Sequence, residues 1–391
     1  MAKRLKIGLI YSYDKDWIAG AYYILNLIHA LNLQSDENKP ELLILSHSKE
    51  EFDTVKQTGY PYLKFKQLYD KNFWASYNLL ERGINKISKI ITGKNILYRE
   101  HTKKRLNAKL EILFPASDHI YFSTVKNRIF WIPDFQEHFL PHFFSQQEIL
   151  TRKKYQKQLA DNSYPIVFSS NNALNHFKSI YPDSQSKTFV LQFAVRHPHF
   201  QNIPVDHLLS KYLIDRPYFF CPNQFWAHKN HMKVLKAIKI LKEQGHKNIL
   251  VVLSGKESDH RNPGFFKQLK TFVSENGIEN NVNFLGFIDR SDQLQLMNNA
   301  IAVIQPSLFE GWSTVIEDAK SMGQYVIASN LEVHIEQLSD NCTFFDPNNE
   351  NELAGYLEKF IREHPAKKKM AYHNSVTEFG EQFIKIVNAM T

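Results

Sequence analysis

Beyond residue 217 the chain alternates between two patterns. Short apolar runs fall near 218–221, 249–253, 282–285, 301–304 and 325–328, and helical patterns fall between them near 230–244, 265–275, 291–298 and 314–322. Apolar runs of this length suit strands buried on both faces, and intervening helices of this length serve as crossovers between parallel strands. The pattern therefore specifies a doubly wound parallel α/β sheet, whose ligand site lies at the carboxyl ends of the strands. The first residues open the same way. Ile7 to Tyr11 reads as a buried strand, Tyr13 to Gly20 as a loop, and Ile24, Leu27, Ile28 and Leu31 as an apolar helix stripe. Ile166–Ser169 and Phe189–Phe193 read as further strands, and Ser169-Ser170-Asn171 starts a helix through Phe177. At 391 residues two domains are expected. The stretch from Val195 to Pro217 holds Pro198, Pro204 and Pro217 and lacks strong periodicity before Leu208, so the junction is expected there, between domains 1–200 and 201–370.

Composition narrows the classes. Two cysteines far apart, Cys221 and Cys342, give no disulfide framework and point to a reducing compartment. No apolar run is long enough to span a bilayer. The basic start Met1-Ala2-Lys3-Arg4 is followed by an apolar run too short for a signal peptide, so a cytoplasmic location is expected. The net charge of +8 is partly local. From Glu81 to Ile112 lie Arg82, Lys86, Lys89, Lys94, Arg99, Lys103, Lys104, Arg105 and Lys109, opposed by Glu81, Glu100 and Glu111. Ile84, Ile87 and Ile91 sit at helical spacing among them. A basic amphipathic surface suits an anionic membrane leaflet; a solvated helix face, or a loop packed on the N-terminal domain, is the other reading. Nucleic acid is not expected as a partner, since no zinc finger, RNP motif or other such module is present. The sequence also lacks a Gly-x-Gly-x-x-Gly after the first strand, a Walker loop, a Gly-x-Ser-x-Gly elbow and a His-Glu-x-x-His pair.

The densest chemistry lies in Pro306-Ser307-Leu308-Phe309-Glu310-Gly311-Trp312-Ser313-Thr314-Val315-Ile316-Glu317-Asp318. A strand ends near Gln305 and a helix begins near Thr314, where Thr314-Val315-Ile316-Glu317 fits a capping box. Amide N–H groups at such a start receive an anion, and the helix dipole adds to the attraction. Glu310 before the turn and Asp318 one turn into the helix can each accept hydroxyl hydrogen bonds. A phosphate between two sets of hydroxyls describes a nucleotide sugar.

The acid at 310, seven residues and the acid at 318 resemble the signature of family 4 retaining glycosyltransferases, which have the GT-B fold: two Rossmann-like doubly wound domains facing an interdomain cleft. The resemblance is specific over roughly 215–347 and looser over 1–200. It implies that Glu310 contacts the donor sugar and Asp318 the ribose. Most members carry Glu at the second position, and here Glu317 precedes Asp318; register favours Asp318 for the ribose and leaves Glu317 the capping role. The amides of Gly311, Trp312, Ser313, Thr314 and Val315 would hold the diphosphate.

The turn Pro222-Asn223-Gln224-Phe225-Trp226-Ala227-His228-Lys229-Asn230-His231 follows a strand and precedes a helix. In the resembling family it carries an Arg and, five residues on, a Lys that neutralise the diphosphate. Lys229 matches the lysine, but Gln224 stands at the arginine position, so one cation is missing. A lysine beside a helix start is itself disfavoured unless an anion binds there. Asp134 matches the acid of a His-Asp pair on the acceptor side, without the histidine; a turn residue is the other reading of an Asp after Pro, and His138 could substitute for the missing ring. Gly255, in Ser254-Gly255-Lys256, permits close backbone approach, and Lys256 could touch phosphate or ribose; a tight strand exit is the alternative. The resemblance gives Phe287 and Ile288, after Gly286, to the nucleobase, Gly20, in Trp17-Ile18-Ala19-Gly20-Ala21, to the first loop beside donor or acceptor, and Glu336 to the donor surroundings. It also implies that the last helix, about 371–391, crosses back to the N-terminal domain.

The resemblance implies a retaining glycosyltransferase that uses no metal or other cofactor. It would move sugar from a UDP- or GDP-linked donor to a glycan or lipid-linked acceptor, as in bacterial lipopolysaccharide or capsule synthesis. The resemblance implies that the acceptor hydroxyl, entering from the N-terminal side, attacks the donor sugar from its front face and loses its proton to the departing phosphate. The alternatives are another GT-B nucleotide-sugar enzyme, such as an epimerase or sugar-phosphate synthase, and a catalytically silent nucleotide-sugar-binding protein, which Gln224 would suit.

Overall fold

The computed structural model describes residues 4–13, 18–68, 79–92, 106–117, 122–197, 200, 203–368 and 371–391. The chain forms two compact units, one of residues 1–131 with 380–391 and one of 132–379.

In the first unit, strands β1 (Lys6–Ile10), β2 (Glu41–Ser46), β3 (Leu63–Gln67), β4 (Ile112–Phe114) and β5 (Asn127–Arg128) form a sheet in the order β3-β2-β1-β4-β5. Every pair is parallel, with Ile7 opposite Leu42 on one side and Ile112 on the other. Helix α1 (Ile18–Asn32) buries Ile24, Leu27, Ile28 and Leu31, the stripe expected from their spacing. Gly20 lies in its first turn rather than in a loop, because Ile18 already begins the helix. Helix α2 (Lys49–Lys56) is closed by a reciprocal Ser48–Glu51 capping box. Residues 380–391 belong to this unit, and a side chain at Gly380 would meet the Ala30 carbonyl at 2.6 Å, so only glycine permits that approach.

Helix α3 (Leu79–Thr92) is inverted. Asn85 and Ser88 are buried, whereas Leu80, Ile84, Ile87, Ile90 and Ile91 are 48–79% exposed. A helix of a soluble fold ordinarily turns its apolar stripe inward. The basic residues 94–105 expected to extend this surface lie outside the described residues, apart from which Lys109 is described.

Two further sheets follow along the chain. Strands β6 (Phe130–Ile132), β7 (Ile166–Phe168) and β8 (Thr188–Val190) form the smaller, with helices α4 (Gln136–Phe139), α5 (Gln146–Asp161) and α6 (Asn171–Ile180). Ser170 caps α6 through a bond from the Ala173 amide. The larger contains β9 (Phe219–Cys221), β10 (Val251–Leu253), β11 (Val282–Phe284), β12 (Val303–Gln305), β13 (Val326–Ser329) and β14 (Cys342–Phe345), in the order β11-β10-β9-β12-β13-β14. All its pairs are parallel.

Successive residues of these strands enter opposite cores. Phe219, Val251, Ile304 and Ile327 pack with Val234 and Leu235 of α8 (His231–Glu243), Leu269 of α9 (Phe265–Glu275) and Leu357 of α13 (Glu350–Arg362). Phe220, Val252, Val303 and Val326 pack on the other face with Leu208 of α7 (Val205–Lys211), Leu296 of α10 (Arg290–Asn299) and Ile316 of α11 (Thr314–Ser321). Helices on both faces make the sheet doubly wound. Its strands are apolar without alternation because both faces are covered. Helices α12 (Glu332–Gln337) and α14 (His373–Asn388) complete the described elements. Together the two parallel assemblies are the GT-B class expected from the sequence.

Candidate active site at the carboxyl ends of the strands

Four turns are stitched together where β9, β10, β11 and β12 end. Phe225 N donates to Lys256 O at 3.1 Å, Leu308 N to His228 O at 2.8 Å, and Gly255 N to Gly286 O at 2.8 Å. Asn230, in the left-handed region at φ 58°, sends its side-chain amide to the carbonyls of Pro306 and Pro347. A side chain at Gly255 would come within 2.8 Å of Gln224 Cα, so glycine lets the turns after β9 and β10 touch.

At the centre, Lys229 Nζ lies 2.5 Å from Glu310 Oε1. The same oxygen accepts from Gln305 Nε2 at 2.8 Å and Ser307 Oγ at 2.7 Å. Glu310 Oε2 accepts nothing among the described residues. One oxygen thus anchors the carboxylate, and the other remains for a ligand. Burial pushes the Glu310 carboxyl up, but Lys229, helped by His334, outweighs this and holds it below its ordinary range. Behind the pair lie three buried histidines. Burial, with Lys229 adding, brings His228 and His231 down to about 3, and burial brings His334 down to about 4, so all three are neutral near pH 7. His334 Nδ1 lies 2.9 Å from Ser329 O, and Ser329 Oγ donates to Ser307 O, which ties this layer to the Glu310 turn.

Helix α11 begins at Thr314, but its cap differs from the expected one. Ser313, not Thr314, is the N-cap, its hydroxyl accepting from Ile316 N at 3.3 Å. Glu317 does not reach back to the cap. It is buried and accepts from Gln337 Nε2, Lys320 Nζ and Tyr372 OH, partners supplied partly by distant chain. Gln337 also takes the Ser313 amide at 3.1 Å, which removes that N–H from the set expected to face a diphosphate. The amides of Gly311, Trp312, Thr314 and Val315 have no partner among the described residues. The Trp312 indole donates to Phe193 O at 3.1 Å, a packing role.

Asp318 is 1% exposed, and Arg290 Nη2 lies 2.6 Å from its Oδ1, with His197 Nε2 at 3.5 Å. Any ribose contact must therefore use Oδ2 or displace Arg290. Arg290 heads α10 just beyond the 286–288 turn, where Phe287 is 68% exposed and Ile288 packs on the core.

Gly311 brings Asp134 into the site. A Cβ at 311 would stand 2.9 Å from Asp134 Cβ and 3.0 Å from the Pro133 carbonyl carbon, closer still to the carbonyl oxygen. Asp134 Oδ1 accepts from Gln136 N at 3.0 Å, the bond of a turn-forming Asp. Burial, with Glu310 among the contributors, raises its carboxyl above the ordinary range. His138 does not stand in for a catalytic histidine beside it: its Nε2 pairs with Gln156 Oε1 at 2.9 Å, and Gln156 in turn donates to Glu137. Phe309 completes a wall with Phe139 and His176. Glu336 has a structural use, since its carboxylate accepts from the amides of Asn171 and Asn172 at the start of α6.

Gln224 makes no side-chain hydrogen bond among the described residues, and Lys256 follows Gly255 at the end of β10. Gly20 belongs to the first unit, and Trp17 lies outside the described residues. Gln305, Ser307, Arg290 and Gln337 contact the site without having been expected there from the sequence. Gln305 carried a signal, a polar residue closing an apolar strand; the others are fixed only by tertiary contacts. Among the described residues no three His, Cys, Asp or Glu side chains are placed to hold a metal ion.

Residues 210–375 match the family model described as glycosyl transferases group 1. Compared with curated proteins, the chain has no significant match. Among solved structures it is similar to a glycosyltransferase from Rickettsia africae ESF-5, with a TM-score of 0.66 at 16% identity over 99% of this chain and 98% of that one. Anabaena HepE, in complex with UDP and glucose, gives 0.62 at 14% over 99% and 95%. WaaG, a glycosyltransferase involved in lipopolysaccharide biosynthesis, gives 0.58 at 12% over 99% and 100%. At these identities the likeness is one of fold.

Proposed function

We propose, from the match of residues 210–375 to the glycosyl transferases group 1 model, that the chain is a retaining, metal-independent hexosyltransferase using a nucleoside diphosphate sugar. The acceptor is a glycan or lipid-linked glycan, and the setting is bacterial surface polysaccharide synthesis on the cytoplasmic side. The observation that carries this reading is the Lys229–Glu310 pair beside the free amides at the start of α11. A cation and a helix start together suit a departing diphosphate, and Glu310 Oε2 suits a sugar hydroxyl. That HepE is seen with UDP and glucose, and that WaaG is involved in lipopolysaccharide biosynthesis, lends support. Donor binding is assigned to the 201–370 segment and the acceptor side to 1–200 with the last helix.

In this reading the bond from sugar C1 to the phosphate oxygen breaks, with the electron pair leaving on phosphate. The acceptor hydroxyl oxygen attacks C1 from the same face, and its proton passes to the departing phosphate oxygen. Lys229 and the amides of Thr314 and Val315 meet the leaving-group charge. Asp318 is assigned to the ribose through Oδ2, Phe287 and Ile288 to the base, and Asp134 to the acceptor hydroxyl.

The test follows UDP-glucose, UDP-galactose, UDP-N-acetylglucosamine and GDP-mannose by NMR with a membrane lipid extract as acceptor source. One donor is expected to be consumed with the anomeric configuration kept, and Glu310→Gln is expected to slow this roughly 10- to 100-fold, the worth of a hydrogen bond to a charged group. An inverted product would remove the retaining assignment, and consumption of no donor would leave a silent binder.

Helix α3 supports a membrane-borne acceptor. Its exposed isoleucines and Leu80, flanked by exposed Arg82, Lys86 and Lys89, suit the interface of an anionic bilayer, with the apolar face in the acyl boundary and the cations among headgroups. No helix among the described residues is long and apolar enough to cross a membrane. Flotation is expected with phosphatidylglycerol vesicles and not with pure phosphatidylcholine, and the exposed double substitution I87E/I91E should abolish it. Flotation indifferent to lipid charge would remove the assignment.

A further inference from the structure

The loop after β10 carries a largely buried basic group. Asp259, 6% exposed, accepts from Ala227 N at 3.1 Å and from Arg261 N at 2.9 Å, so one carboxylate fixes Arg261 relative to the turn that carries Lys229. The Arg261 guanidinium lies 4.0 Å above the ring of Phe144 and 5.5 Å from that of Trp226. Arg152, from α5, stands 5.1 Å from the same Phe144 ring.

Neither guanidinium donates a hydrogen bond among the described residues. The nearest carboxylates stand too far: Glu148 Oε1 is 3.7 Å from Arg261 Nε, and Glu137 Oε2 is 3.6 Å from Arg152 Nη1. Arg261 is 11% exposed and its Nε is fully buried without a hydrogen-bond partner. Buried donors are nearly always bonded, so this arrangement is costly as it stands. Glu137 and Glu148 supply counter-charge without satisfying the donors. Burial and the neighbouring Arg152 both lower the Arg261 pKa, the mark of like charges that a bound anion would relieve. Asp134, which lies against Gly311, is within electrostatic reach of both arginines, and burial favours its neutral form.

We propose that Arg152 and Arg261 form a clamp for a phosphoryl group, built on Phe144 and Trp226 and separate from Lys229. Planar guanidinium forks match phosphate oxygens bidentately, and the aromatic rings hold them in place. Two sources present this chemistry, the diphosphate of the donor and a phosphate on the acceptor; the first rests on the donor reading above.

The experiment is calorimetric titration of inorganic pyrophosphate and of UDP into the wild-type chain, Arg152→Met and Arg261→Met. Methionine keeps an apolar stem in the packing, thermal unfolding checks the fold, and Arg152, 43% exposed, remains testable if Arg261→Met does not fold. Pyrophosphate is expected to bind the wild type and to bind each variant roughly 10- to 100-fold more weakly, the worth of one or two charge-assisted bonds. Saturation with UDP separates the sources: competition places the clamp on the donor diphosphate, and simultaneous binding places it on an acceptor phosphate. Equal affinity in wild type and variants, or no pyrophosphate binding by the wild type, would overturn the clamp. Arginine-dependent pyrophosphate binding with no affinity for UDP, GDP or ADP would instead keep the clamp and remove the donor reading.

Discussion

Replacement of Lys229 by methionine is expected to lower kcat for sugar transfer about 10²–10³-fold, the cost of losing one positioned group that stabilises developing charge. The same change should also destabilise the fold. Lys229 and Glu310 are 18% and 10% exposed, and removing one partner of a buried pair leaves the other charge uncompensated, at roughly 3–5 kcal/mol. The effect carries a pH signature. In the wild type the Glu310 pKa is lowered, so its contribution to stability is complete above the ordinary carboxyl value and is lost as pH falls through the lowered one. Without Lys229, burial is the largest remaining influence and raises the pKa. Protonation then stabilises the folded state, and the variant should recover part of its loss on acidification. Urea unfolding of both proteins at pH 7.5 and pH 5 measures this. A gap that stays constant between the two pH values would show that the pair does not govern Glu310.

Gly311→Ala is expected to cost roughly 1–3 kcal/mol of stability, and its larger effect should fall on turnover. The added methyl would press on the Pro133 carbonyl and on Asp134 Cβ, and backbone cannot yield as a flexible side-chain tip can. Either Asp134 or the Glu310 turn must shift, and a displacement near 1 Å can cost about 10²-fold in rate. Gly355, in α13, supplies the control: nothing lies within 4 Å of its added carbon, so Gly355→Ala should leave turnover unchanged. Steady-state rates for the two variants, compared at equal folded fraction, decide it; equal rates would mean that Asp134 and Glu310 do not work in register.

The larger sheet was legible because each strand is short, apolar and bounded by helical periodicity, and the buried alternation of Phe219 with Phe220 needs only a parallel sheet covered on both faces. The start of α11 was legible for the same local reason. Its cap was not. Ser313 and Thr314 are both good caps, and the choice is made by Gln337, far along the chain, which takes the Ser313 amide and draws Glu317 away from the helix start. Glu336 was similarly ambiguous until Asn171 and Asn172 met it. Gly20 read as a loop residue because glycine is common in turns, while its burial within α1 depends on the packing of a whole helix. Arg152 and Arg261 lie in segments with no motif and meet only through the ring of Phe144. Local periodicity therefore located the elements, whereas the partners of each charge were decided by tertiary contacts.

If an activated sugar's diphosphate docks on Lys229 at the start of α11, the lysine must carry part of the nucleotide affinity. Calorimetric titration of UDP, GDP and ADP into the wild-type chain and Lys229→Met measures this. One of the three is expected to bind the wild type and to bind the variant at least about tenfold more weakly, a difference of about 1.4 kcal/mol. Binding of none of them, or binding with equal affinity to both proteins, would contradict docking at Lys229.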